Sequence, residues 1–276
     1  MEVVSINSLK IRYDTKEVFG GLDWKISRGE NWAVSGESGT GKSCLLKAVA
    51  GKIEYSGEIK KSFAENGQPA EALYVDNWYK FTNLEGDRNF YYQQRYNYHA
   101  EQDTLTVFGE LETYGKERNL DISAVEPILE RFGFAKCRQT QLIELSSGEH
   151  KKLQLVKALW LKPQILLLDD PYTGLDAASR KALNDILDEE CAAGTTLVIA
   201  TNDTELPSSI NRFAVIEGGR ISERGGVEKI GETPIVHKPV PEFLKLSPEI
   251  PSETFIDMRN ITVRYGEKVV LDNVSW

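Results

Sequence analysis

Cysteine, histidine and methionine are scarce in this sequence: three, three and two of 276 residues. Cys44, Cys137 and Cys191 are widely spaced and form no CxxC pair. That excludes a disulfide framework and a cysteine zinc site, and fits a reducing compartment. His99, His150 and His237 have no ligand or triad spacing, and His150 is expected on the surface of a helix. No apolar run approaches the ~20 residues that span a bilayer, so no membrane insertion is expected. The opening stretch MEVVSINSLKIRYD has no basic flank before a long apolar core, so it does not read as a signal peptide. Positive charge is in deficit, with 33 Lys and Arg against 42 Asp and Glu and a net charge of −9. A chain of that balance has no general attraction for phosphate backbones, which disfavours nucleic acid as a partner.

What is present is organised around GESGTGKS, Gly36 to Ser43. It fits the phosphate-loop pattern G-x-x-x-x-G-K-[ST] without a mismatch. Gly36, Gly39 and Gly41 let the backbone turn tightly and point successive N–H groups at an anion. In that pattern Lys42 reaches the β- and γ-phosphates and the Ser43 hydroxyl ligates Mg²⁺. The nucleotide-contacting candidates are therefore Gly36, Glu37, Ser38, Gly39, Thr40, Gly41, Lys42, Ser43 and the following Cys44. The context agrees: NWAVSG before the loop reads as a strand, and SCLLKAVAG after it as a helix closed by Gly51.

Residues 3–13 partly alternate apolar and polar and read as a strand ending in Tyr13. VFGGLDWKIS reads as a second, after a turn at DTKE. YSGEIK gives a turn and a short strand, and ALYV, 72–75, a core strand. Residues 78–98 set eight aromatics among polar residues. That stretch is either an amphipathic insertion on its own domain or a surface for a protein or stacked bases. From Thr104 to Lys162 the pattern turns helical. Leu105, Phe108 and Leu111 mark one apolar face, and Val125, Ile128, Leu129 and Phe132 another, ended by Gly133. Ser146 or Ser147 caps a long helix stopped by Pro163. Ile165 to Asp169 form a buried strand, followed by a helix to Gly194, the strand TTLVIAT, and a hairpin turning at Gly218-Gly219. The expected class is α/β: a P-loop NTPase core with an antiparallel β subdomain and an inserted helical lobe.

Prolines 234, 239, 241, 248 and 251 make 232–254 a linker. Beyond it, residues 255–276 repeat the start of the chain. Shifted by 252 positions, Arg264, Tyr265, Lys268, Val270 and Trp276 fall on Arg12, Tyr13, Lys16, Val18 and Trp24. Ile261 and Val263 fall on Leu9 and Ile11. The expectation is a nucleotide-binding domain over 1–231, the linker, and the start of a second copy over 255–276. The sequence stops 12 positions before the second phosphate loop would begin.

A phosphate-loop enzyme needs a further acid for Mg²⁺ and a group that orients the attacking water. LLLDD, 166–170, supplies both: Asp169 for the magnesium, through its water shell, and Asp170 for the water. With these motifs the chain resembles the ATP-binding cassette (ABC) ATPases over about residues 1–230. GESGTGKS resembles their Walker A loop, LSSGE (145–149) the signature, LLLDDP Walker B, TGLD (173–176) the D-loop and TND (201–203) the switch, in the family's order. The resemblance implies ATP and Mg²⁺ as ligands and Tyr13 as the aromatic that stacks on adenine. It also implies head-to-tail pairing, in which Ser147 and Gly148 touch the γ-phosphate held by a partner cassette. That partner is a second cassette in the same full-length chain or another copy of this one, with a membrane permease as a further candidate.

Three departures matter. The family's catalytic Glu is Asp170 here, shorter by about one C–C bond, ~1.5 Å, against a hydrogen-bond window of about 2.6–3.2 Å. The switch His is Asn202, which can hydrogen-bond a phosphate but cannot carry a proton. The family's Gln-loop residue is Asn77, Gln93 or Gln94. The tandem design, the short proline-rich linker and the lack of an N-terminal cysteine cluster resemble the soluble tandem cassettes of the molybdenum-transport and photorepair type. The implied function is an energy-coupling ATPase with Lys42, Asp170 and Asn202 as its catalytic residues. This fragment alone would hydrolyse weakly. The alternative is a regulatory ATP-binding module with slow hydrolysis that controls docking to a non-membrane partner such as the ribosome. The expected location is the cytoplasm, including its inner membrane face.

Overall fold

The computed structural model describes residues 1–13, 16–62, 72–77, 105–224, 257–265 and 268–276. The aromatic-rich stretch, the proline-rich linker, Gln93, Gln94, His99 and His237 lie outside these residues. The chain divides into two compact units, Met1–Thr233 and Pro234–Trp276.

In the first unit, β1 (Glu2–Tyr13), β2 (Lys16–Ser27) and β4 (Ser56–Lys61) form an antiparallel sheet in the order β2-β1-β4. A second sheet of six strands has the order β5-β6-β7-β3-β8-β9. Its strands are β3 (Trp32–Ser35), β5 (Ala72–Val75), β6 (Ile165–Asp169), β7 (Thr196–Ala200), β8 (Arg212–Glu217) and β9 (Arg220–Arg224). All pairings are parallel except β8–β9, whose turn residues Gly218 and Gly219 both have positive φ, as a tight hairpin requires. Every residue of β3, β6 and β7 is buried, which explains why these strands read as continuous apolar runs. β5 differs from the expected core strand. Among the described residues it is the edge of the sheet, and only Val75 is fully buried.

Helix α1 (Lys42–Val49) follows β3 and buries Leu45, Leu46, Ala48 and Val49. Two apolar clusters divide the core. One joins β1 and β2 to α1 and one face of the large sheet. The other joins the opposite face to the helical lobe. The lobe contains α2 (Val107–Arg118), a 3-10 turn at Ile122–Val125, α3 (Glu126–Arg131) and α4 (Ser147–Trp160). Its buried α2 face is Val107, Leu111 and Gly115; Phe108, expected on that face, is only half-buried. At Gly115 the helix approaches α4 closely: a Cβ there would sit 2.6 Å from the Trp160 ring.

Ser146, not Ser147, caps α4. Its Oγ accepts from Glu149 N, and Glu149 Oε2 accepts from Ser146 N at 2.7 Å, a reciprocal capping box. His150 is not on the surface. It is 3% exposed, with Nδ1 3.1 Å from Ser146 O, because α4 is packed on most sides rather than on one. Helix α5 (Ala177–Ala192) is capped by Asp176, whose carboxylate accepts from Ser179 N at 2.9 Å.

In the second unit, β10 (Ile261–Tyr265) and β11 (Lys268–Val274) form an antiparallel hairpin. Its register repeats that of β1 and β2. Leu9↔Leu22, Ile11↔Phe19, Arg12↔Glu17 and Tyr13↔Lys16 recur, 252 positions on, as Ile261↔Val274, Val263↔Leu271, Arg264↔Val269 and Tyr265↔Lys268. The left-handed backbone of Ser8 recurs at Asn260. Its bond from Ser8 N to Asp23 recurs as Asn260 N to Ser275.

Candidate functional site

The phosphate loop links the buried strand β3 to α1. Its glycines are required by space as well as by backbone angle. Gly36 has φ 149°, and a Cβ there would lie 2.6 Å from Ile216 O. Gly41 has φ 108°, and a Cβ there would meet Val18 Cγ1 at 2.6 Å and the Phe19 ring at 2.7 Å. The β2 side chains therefore clamp the loop from the antiparallel subdomain. No side chain caps α1, so its first-turn N–H groups remain for an anion.

A cleft of about 800 Å³ opens beside the loop. Tyr13, Ser38, Gly39, Gly41, Lys42, Ser43, Cys44, Asp169, Asp170 and Asn202 line it, so the structure brings most of the expected ligand-binding residues together. Tyr13 is half-exposed, as a platform for a planar base has to be. Gly36, Glu37 and Thr40 build the loop itself: Thr40 N and Oγ1 both donate to Glu37 O. Asn77 also lines the cleft; the other Gln-loop candidates, Gln93 and Gln94, lie outside the described residues.

Lys42 Nζ donates to Gly36 O at 2.5 Å and to Glu37 O at 3.1 Å. Burial pushes its pKa down, opposed by the charges of Asp170 and Asp169. An entering polyphosphate would replace those carbonyls and restore a full counter-charge. Asn202 Oδ1 accepts from Gly36 N at 3.1 Å, which ties Asn202 to the first loop glycine; its Nδ2 is a donor. Asp169 is buried at the end of β6. The Ser43 hydroxyl and the Asp169 carboxylate are hard oxygen donors in one cleft, the set that Mg²⁺ takes alongside phosphate and water. Asp170 has φ 46°, a left-handed conformation that Asp tolerates better than most residues, and its N–H donates to Ala200 O at 2.8 Å.

Ser147 and Gly148 lie apart from this cleft, at the start of α4. Gly148 meets the D-loop of its own chain: a Cβ there would lie 2.4 Å from Gly174 O. This glycine thus has an intrachain packing role in addition to the role expected toward a partner's phosphate.

Three further residues carry no signal in the sequence. Tyr74 donates from β5 to Asp169 Oδ2 at 2.8 Å. Burial first and that carboxylate second raise the phenol pKa far above its ordinary value. Lys151 is 3% exposed and donates to Asp76 O at 2.8 Å; burial lowers its pKa to about 8 against the charges of Asp169, Asp170 and Asp76. Arg180 joins Leu175 O, in the TGLD stretch, to the Asp203 carboxylate. None belongs to a motif, and each depends on a contact between distant segments.

The sequence matches the profile of a family described as ABC transporter over residues 19–173. It is 28% identical over 271 residues to the ABC transporter ATP-binding protein ModF of Escherichia coli, covering 91% of this chain and 52% of that protein. It is 25% identical over 273 residues to an uncharacterized ABC transporter ATP-binding protein of Schizosaccharomyces pombe, covering 94% of this chain and 55% of the other. The chain thus spans about half the length of these relatives. The fold superposes on a solved ATP-binding subunit of an ABC transporter with a TM-score of 0.64 at 20% identity, covering 81% of this chain and 90% of that one.

Proposed function

The chain belongs to the ABC transporter family, and from that premise we propose that it is an ATPase cassette that binds Mg-ATP, closes on a second cassette and drives a partner process. The observation that carries this reading is the single cleft shared by the Gly36–Ser43 loop, Asp169, Asp170 and Asn202, with Tyr13 at its rim. Tyr13 stacks on the base, and the loop amides and Lys42 neutralise charge that develops on the phosphates. Ser43 and Asp169 would hold the magnesium, which would offset the charge of the phosphates. Asp170 orients the attacking water, and Asn202 reaches the terminal phosphate through Nδ2.

The second cassette is the other half of a tandem protein, or another copy of this chain. The tandem form is supported by the repeated register of β10 and β11 and by relatives about twice this length. On this reading 1–231 is the first nucleotide-binding domain, 232–254 its linker and 255–276 the opening hairpin of the second. Ser147 and Gly148 then present the N-terminus of α4 to the opposite γ-phosphate. A membrane permease is the natural coupled partner, with the cassette at the cytoplasmic face. Among the described residues no helix is long and apolar enough to cross a membrane.

A second reading is favoured by the short Asp170 side chain on a left-handed backbone and by Asn202, which cannot shuttle a proton. It is a regulatory cassette with slow hydrolysis that controls docking to a partner outside the membrane. Steady-state hydrolysis by the complete protein, beside equilibrium ATP binding, separates the two. Turnover of about 1 s⁻¹ or more, the lower end of ordinary enzyme rates, supports the first reading. Tight ATP binding with turnover orders of magnitude slower supports the second.

A further inference from the structure

We propose that Arg180 is a positioning residue that couples the D-loop to the switch loop, so that the placement of Asn202 follows the position of Gly174. The proposal rests on the ATPase reading above. Arg180 sits in the first turns of α5, and its side chain folds back over the loop that precedes the helix. Nη1 donates to Asp203 Oδ2 at 2.5 Å, Nη2 to Tyr172 O at 3.3 Å and Nε to Leu175 O at 3.4 Å. One planar guanidinium thus joins two carbonyls of the D-loop region to a carboxylate of the switch loop. A lysine ammonium has no fork that can span these three acceptors.

Each end of this link is held firmly. On one side, Tyr172 is buried and its hydroxyl donates to Asn184 Oδ1 at 2.7 Å, while Gly174 packs directly on Gly148. The D-loop therefore cannot shift without disturbing either Arg180 or the start of α4. On the other side, a short path leads from Asp203 to the phosphate loop. Asp203 N donates to Thr201 Oγ1, Thr201 N donates to Val34 O, and the intervening Asn202 accepts from Gly36 N. The contact that carries the coupling is the Arg180–Asp203 pair. Both side chains are about one-quarter to one-third exposed, at 30% and 26%, so the pair is partly shielded from water.

A staple that only holds α5 in place would make the same bonds. The two roles differ in what they move. A coupling residue also alters the phosphate loop, which lies beyond the groups that Arg180 bonds. The test is a double-mutant cycle in the complete protein with Arg180→Ala, Asp203→Ala and both, and Arg180→Lys as a charge-retaining control. The readouts are kcat, KM, ATP affinity, thermal midpoint and hydrogen exchange of the peptide containing Gly36. Coupling of ordinary size predicts a kcat about tenfold lower in either single variant, with ATP affinity within about twofold. The double variant is no slower than the slower single one. Exchange at the Gly36 peptide rises in Arg180→Ala, and Arg180→Lys restores the thermal midpoint without restoring kcat. Additive losses, unchanged exchange at Gly36, or a kcat that recovers with the thermal midpoint would overturn the coupling role. Failure of the wild-type protein to bind ATP would instead count against the ATPase reading itself.

Discussion

The Tyr74 hydroxyl donates to Asp169 Oδ2 at 2.8 Å from the neighbouring strand β5. One oxygen of the carboxylate proposed to face magnesium is thereby fixed before any ion arrives. Groups that orient a metal-binding side chain typically change metal affinity by about 10–100-fold when removed. Tyr74→Phe deletes one hydroxyl and keeps the ring that packs beside α1. Calorimetric ATP binding at increasing Mg²⁺ should show the half-saturating Mg²⁺ concentration rise about tenfold, with Mg²⁺-free ATP binding unchanged. An unchanged Mg²⁺ dependence would mean that the Tyr74 bond only staples the two strands.

Lys42→Ala should abolish tight ATP binding, because the lost ammonium is the charge that replaces its bonds to Gly36 O and Glu37 O with bonds to phosphate. Tyr13→Ala should weaken binding by about 0.5–1.5 kcal/mol, the range for one stacked aromatic contact. Titration with a fluorescent ATP analogue measures both. Wild-type affinity in the lysine variant would remove the phosphate-loop assignment.

Asp170 tests how the water is oriented. A positioned base contributes about 10²–10⁴-fold, so Asp170→Asn should slow hydrolysis by at least the lower figure. Asp170→Glu extends the carboxylate by one carbon and should preserve or raise turnover, despite the left-handed backbone at this position. Loss of activity in Asp170→Glu would show a site built around the shorter acid.

Lys151 gives stability a pH dependence of definite sign. Its folded pKa of about 8 lies below the ordinary 10.5. Between these values the unfolded chain binds the extra proton, so stability contributed by this group rises with pH. Below the folded value the buried charge costs the full difference, about 3 kcal/mol at ~1.4 kcal/mol per pKa unit. Comparing wild type with Lys151→Met by urea unfolding, without nucleotide or Mg²⁺, should show the difference moving toward the wild type from pH 8 to pH 10. A difference that stays flat would mean the ammonium is stabilised as well in the fold as in water.

What was legible in the sequence was local. The glycine spacing at 36, 39 and 41, the buried run Ile165–Asp169 and the ordered motifs each sit within a few residues, and the structure brings the phosphate loop, Asp169, Asp170 and Asn202 around one cleft, with the signature apart from it. The close approach of α2 to α4 was less legible because it depends on a non-local contact, Gly115 against Trp160. His150 read as a surface residue because polar side chains on helices usually are, and Lys151 gave no signal. Here α4 is covered on most sides, and each residue has a bond that allows its burial, to Ser146 O and Asp76 O respectively. Tyr74 and Arg180 gave no signal, since their partners Asp169 and Asp203 are distant in sequence. The repeat was legible because the shared spacing preserves strand register, which is what the hairpin pairing reproduces.

The central claim is that this cassette completes its catalytic site only with a second one. The direct measurement is ATPase activity per chain against protein concentration, with mass in solution determined on the same samples. The account predicts that the 276-residue chain binds ATP as a monomer and hydrolyses it slowly, and that activity per chain rises with the dimer fraction. Full turnover that stays constant down to concentrations where only monomer exists would contradict it.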